Sequence, residues 1–128
     1  MTATSLAASP HFVRGPAVSV SGNTLTVTAS IAGLGNADSA FFTLTGTVDV
    51  FSRCYTKSGN APRAENKREL VTVNQDGSFP VRNGRTNVLF TVTPLSTLRC
   101  PGGQRAVIES LSYDLLLQGE GLSAPISG

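Results

Sequence analysis

The sequence predicts an all-β protein, an antiparallel β-sandwich of about seven to eight strands with an immunoglobulin-like outline. Three observations carry that expectation. Short segments with period-2 alternation of apolar and polar residues recur along the chain, turn signals built on Gly, Asn, Asp and Pro separate them at close intervals, and no segment holds a helical apolar period convincingly. The 128 residues fit one domain around one core. We expect a disordered leader over 1–10, a single sandwich domain over 11–118 and a flexible tail over 119–128.

Taken in order, residues 11–14 read as a first short strand cut by Gly15-Pro16, and 17–20 as a second that stops at Ser21-Gly22-Asn23. The clearest signal follows. Leu25, Val27, Ala29 and Ile31 share one face of a strand, while Thr24, Thr26, Thr28 and Ser30 share the other. After the break at 32–36, Phe42, Leu44, Gly46, Val48 and Val50 form the apolar face of a long run, with Gly46 marking either a bulge or a close backbone approach. A polar loop occupies 53–68, longer than most connections in compact domains. Residues 69–74 resume as a strand, Asp76-Gly77 reads as a hairpin turn, and 78–81 return. Asn83-Gly84 supplies another turn before 86–93, in which Val88, Phe90 and Val92 face one side. The last long run, 105–118, places Val107, Leu111, Tyr113, Leu115 and Leu117 on one face with Glu109 as a polar interruption. A helix competes there, and the β-branched and aromatic residues favour a strand. Tryptophan and the cysteine spacing of antibody domains are absent, so the likeness to immunoglobulin domains is one of outline.

Charged residues make up only 14% of the chain, against roughly 25% in typical soluble domains, so Ser, Thr, Asn and Gly supply the polarity. A net charge of +2 argues against a nucleic-acid partner, which requires a concentrated basic face. No apolar stretch is long enough for a membrane span by a helix. Cys54 and Cys100 both sit where strand-like runs meet loops, and we expect them to form a disulfide, which suits an exported protein, secreted or at the cell surface. Residues 4–9, Thr-Ser-Leu-Ala-Ala-Ser, resemble the region beside a signal-peptide cleavage site; the alternative is a flexible Ala/Ser terminus.

A resemblance rests on Ala32-Gly33-Leu34-Gly35, Ala64-Glu65-Asn66-Lys67, Cys100-Pro101-Gly102-Gly103-Gln104 and Ser112-Tyr113-Asp114. In that order they resemble a group of small exported bacterial proteins of actinobacterial type, of unknown function. The likeness spans about 11–118 and lies in loop and turn signatures. It implies export and a two-cysteine bridge, and it carries over no catalytic residue.

Nothing in the chain demands a particular chemistry, and we expect a non-enzymatic domain without catalytic residues, cofactor or metal. His11 is the only histidine and stands beside the leader, so it is placed as an exposed edge residue rather than a catalytic base. One His and two paired Cys cannot make a zinc site. Asp38 and Asp76 lack the spacing of a calcium loop, and Asp49, Glu69, Glu109 and Asp114 show no pattern that would converge them in a cleft.

Two features stand out. Arg53, Lys57, Arg63, Lys67 and Arg68 crowd the polar loop, and Arg99 and Arg105 flank the second cysteine; a disulfide would gather these into one basic binding loop. An anionic surface polymer, a glycan or a protein fits such a patch. The other feature is a threonine ladder over 24–30 and 43–47, continued by Thr91 and Thr93, which suits a carbohydrate- or small-ligand-binding module. Phe41 and Phe51, apolar residues on otherwise polar faces, leave self-association open.

Overall fold

A computed structural model describes residues 9–56 and 66–128. Seven strands run β1 (His11–Ser21), β2 (Thr24–Ala32), β3 (Ser39–Tyr55), β4 (Asn66–Pro80), β5 (Thr86–Val92), β6 (Arg105–Gly119) and β7 (Leu122–Ser127). They form two antiparallel sheets, ordered β1-β2-β5 and β4-β3-β6-β7. This is the predicted sandwich, an immunoglobulin-like order in which the fourth strand pairs with the third and not with the fifth. No described helix is long and apolar enough to cross a membrane.

The alternating faces meet between the sheets. Leu25, Val27 and Ile31 of β2 and Val88, Phe90 and Val92 of β5 pack towards Phe42, Leu44, Val48 and Val50 of β3 and Leu115 and Leu117 of β6. Each such side chain, fully buried, contributes roughly 1.5–3 kcal/mol. Phe79 of β4 bridges the layers, its ring 6.4 Å from Phe42 and 5.5 Å from Phe90, the latter edge-on. Gly46 marks a close approach: a side chain there would overlap the Asp114 carbonyl of β6.

Turn chemistry was legible in two places. Gly22, at φ 62°, opens the two-residue link from β1 to β2, and Asn83 and Gly84, at φ 53° and 74°, form a mirror-image turn closed by reciprocal hydrogen bonds between Arg82 and Arg85.

Four expectations need correction. Asp76-Gly77 is no turn but lies inside β4, paired with Thr43 and Phe42, because alternation continues through it. Gly77 serves packing instead, since a Cβ there would stand 3.1 Å from the Phe79 ring. The expected tail holds a strand: Leu122–Ser127 forms β7, joined to β6 through Glu120 and Gly121 at φ 53° and 78°. Gly15-Pro16 does not end the first strand. β1 continues through it with register shifts between Phe12 and Arg14 and between Arg14 and Ala17. Finally, Val107 is not on the inner face of β6. Phe51 pairs with Ser110 and Ser52 with Ile108, so Glu109 is the extra residue of a bulge. The face flips there, and Ile108 packs against the core. The expected leader falls on residues of which 1–8 lie outside the described ones.

The three-stranded sheet is shorter than its partner. Beyond Val92 the chain continues as an extended strap over 93–100, with Pro94 buried and Leu95 72% exposed. Glu69 of β4 anchors this strap: its carboxylate accepts from the Thr97 backbone N–H at 3.0 Å, from the Thr97 hydroxyl and from the Ser96 hydroxyl. These bonds, the Thr97 hydroxyl first, hold the Glu69 carboxyl below its ordinary value. Cys100 completes the fastening through its disulfide to the fully buried Cys54, with Cα atoms 5.6 Å apart. The bridge therefore ties the strap to the end of β3, where Cys54 pairs with Ala106.

Candidate functional site

The ten Lys and Arg of the chain fall into two groups. Seven are the residues that the sequence gathers around the cysteines. Of these, Lys57 and Arg63 lie outside the described residues. Arg53 faces Glu109 at 3.4 Å, Arg68 faces Asp49 at 3.3 Å, and Lys67 lies 4.0 Å from Glu69 while donating to the Thr97 hydroxyl at 2.7 Å. Arg68 also covers the Phe51 ring, 5.1 Å from its centroid. Glu109 is further engaged by the Tyr55 phenol, whose pKa this hydrogen bond raises above 10.0. Arg99 and Arg105 are exposed, on the strap and at the start of β6. The expected loop over 53–68 is strand at both ends, with Arg53 in β3 and Lys67 and Arg68 in β4; disulfide and register bring these basic side chains to one end, and they bring Asp49, Glu69 and Glu109 to the same place.

The remaining three are Arg14, Arg82 and Arg85. They come together at the opposite end of β3, where Pro80 pairs with Ser39, on the order of 50 Å of strand away from Cys54. A groove of about 480 Å³ opens there, and Val13, Ser30, Pro80, Thr86 and Asn87 complete its lining with the buried Ile31. Two local features aim the arginines. The β1 register shifts on either side of Arg14 take Val13 and Gly15-Pro16 out of regular pairing, and bulges of this kind redirect neighbouring side chains. The Asn83-Gly84 turn places Arg82 and Arg85 directly opposite one another.

That turn is held from behind. Leu34 donates its backbone N–H to the Gly84 carbonyl at 3.0 Å, and Val81 donates to the Asp38 carbonyl at 3.0 Å. On the groove floor the Ser30 hydroxyl donates to Asn87 Oδ1 at 2.8 Å, which leaves the Asn87 amide nitrogen as the donor side of that group. Thr86 is buried and donates to the Pro80 carbonyl at 2.8 Å. Among the described residues no carboxylate comes within ion-pairing distance of Arg14, Arg82 or Arg85, Asp38 included. Three guanidinium groups and an amide therefore offer hydrogen-bond donors to one cleft with no internal acceptor of opposite charge. Such a site can hold an anion through forked, charge-assisted hydrogen bonds.

The sequence reading missed this site because its arginines are isolated in the chain; the Arg-Asn-Gly-Arg turn was the one local signal. The threonine ladder divides in two. Thr24, Thr26 and Thr28 share the outer face of the smaller sheet with Thr91 and Thr93, and the Thr24 and Thr93 hydroxyls lie 3.1 Å apart. Thr43, Thr45 and Thr47 belong to the other sheet. His11 is exposed on β1, its Nδ1 2.9 Å from the Ser9 carbonyl oxygen. Among the described residues no group of three or more His, Cys, Asp or Glu is placed to hold a metal. No protein-family model matches the chain, and no curated protein matches it.

Proposed function

We propose that this protein is an exported, non-enzymatic binding domain that holds an anionic ligand in the groove of Arg14, Arg82 and Arg85. The observation that carries the reading is the convergence of three arginines, with no carboxylate partner among the described residues, on a cleft large enough for a small ligand or a polymer terminus. An exposed arginine alone means little, because solubilising charges are common. Three from two separate segments, one beside bulges and two on a braced turn, are brought to one cleft by a fixed backbone, and pre-organisation of the backbone lowers the cost of binding.

Export is supported by the disulfide, which persists in oxidising compartments, and by the resemblance to exported two-cysteine proteins. A role at the cell surface or in the medium fits an anionic surface polymer, glycan or protein as partner. The paired arginines at the disulfide end support this less well than the groove does.

The test is thermal unfolding and calorimetric titration of the folded domain with inorganic phosphate and sulfate. A ligand at 100 times its dissociation constant adds about 2.7 kcal/mol of stability. Saturable stabilisation that weakens with added sodium chloride, and that disappears when Arg82 and Arg85 are both replaced by Ala, supports the reading. Equal behaviour of wild type and double variant refutes it.

A further inference from the structure

The groove does not stop at the arginines. A second depression of about 350 Å³ adjoins it and shares Arg14, Ser30 and Asn87 with it. The rest of its lining is Gly15, Ala17, Thr28, Ala29, Val88 and Leu89, so it differs sharply from the cationic end: no further charged group enters. Its shape follows from register. Thr28 lies between Ala17 on β1 and Leu89 on β5, and Ser30 lies between Arg14 and Asn87 in the next outward row. Small residues on β1 and β2 leave a low floor, while Leu89 and Arg14 rise on either side.

Leu89 is out of character for its surroundings. The outward positions of β2 and β5 are otherwise Thr24, Thr26, Thr28, Ser30, Asn87 and Thr91, yet Leu89 stands among them 56% exposed. Val13, released by the first β1 register shift, stands 51% exposed in the arginine groove. Neither contributes its exposed part to the core. Val13 lines the arginine groove and Leu89 the adjoining depression that shares Arg14, Ser30 and Asn87 with it.

Resting on the anion-binding reading above, we infer that the ligand is amphiphilic: an anionic head held by Arg14, Arg82 and Arg85, with a short apolar arm lying along the Ala17–Thr28–Leu89 row. The two rows stand two residues apart along the strands, about 7 Å, which suits an arm of about five or six carbons. A bare inorganic anion would leave this second depression unused.

The experiment is calorimetric titration of the folded domain with methyl phosphate and hexyl phosphate, which share a head and differ in the arm. The hexyl compound should bind at least about tenfold tighter, since each buried methylene contributes roughly fourfold when fully covered. In Leu89→Ser the ratio of the two affinities should collapse towards one. In Leu70→Ser, which removes a still more exposed leucine from the other sheet, the ratio should hold. Equal affinities for both compounds in the wild type, with both lost in the Arg82→Ala/Arg85→Ala variant, would overturn the apolar arm and leave the anion site standing. A tenfold ratio unaffected by Leu89→Ser would overturn it as well. Failure of both compounds to bind would remove the anion site and this inference together.

Discussion

At the disulfide end Arg53, Lys67 and Arg68 each stand against a carboxylate while Arg99 and Arg105 do not, whereas at the other end, among the described residues, Arg14, Arg82 and Arg85 all stand against none. In the sequence the first region is the richer in positive charge, and the second is scattered. Pairing across strands reverses the order. Asp49 on β3 meets Arg68 on β4, the Glu109 bulge on β6 meets Arg53, and Glu69 on β4 meets Lys67 two residues away while anchoring the strap. Charge counted along a chain therefore says little about where a field survives; register decides which charges are answered.

The largest expected effect that would sharpen this contrast is on stability. Replacing Cys54 and Cys100 by Ala opens a link across a sequence separation of 46 and should lower unfolding free energy by about 4 kcal/mol, read from urea midpoints. Phosphate affinity of the still-folded variant at the distant groove should change less than about twofold, because separated sites are nearly independent. A large loss of affinity would join the two ends and break the comparison. Next comes binding. The Arg82→Ala/Arg85→Ala variant should lose phosphate affinity by about tenfold or more, as charge-assisted hydrogen bonds disappear. Arg53→Ala/Arg68→Ala should change it less than about twofold.

A smaller effect concerns pH. Hydrogen bonds from Thr97 and Ser96 lower the Glu69 pKa, so the folded state binds fewer protons there than the unfolded chain. Their contribution is present above the ordinary carboxyl value of 4.5 and is lost as pH falls through the lowered one. Urea midpoints measured across that window should fall with acidity, and Glu69→Gln should flatten the fall. The smallest effect is the most direct probe of answered charge. Asp49→Asn should alter stability by less than about 1 kcal/mol, as exposed ion pairs do. It should nevertheless create weak, salt-sensitive phosphate binding at Arg68 that the wild type lacks.

Much of the architecture was legible because it depends on local alternation. Leu25, Val27, Ala29 and Ile31 declared their face, as did Val88, Phe90 and Val92, and all seven are buried. Gly22 and Asn83-Gly84 declared their turns. Asp76-Gly77 misled because the same dipeptide serves a strand when an aromatic ring, here Phe79, needs the space a side chain would fill. Glu120-Gly121 stayed hidden because its first residue adopts positive φ without the usual Asn or Asp. Glu109 showed as an interruption in a pattern, yet only pairing with β3 reveals that Val107 and Ile108 exchange faces around it. The groove was least legible. Arg14 owes its direction to irregular pairing, and Arg82 and Arg85 are drawn to it by the neighbouring positions of β2 and β5, a non-local relation that no window of sequence contains.

The Glu109 bulge has a further consequence on the side of β6 turned away from β3. Among the described residues β7 and Gly128 cover that side only from Tyr113 to Gly119, so 105–112 present a bare row of backbone donors and acceptors. A bare, regular row is a template on which other chains can stack into fibrils. Here the spacing is interrupted at its middle by a bulged residue, and a carboxylate stands at the break. An incoming strand would lose register after a few bonds, which makes this edge a poor seed for aggregation in a protein that carries little repelling charge.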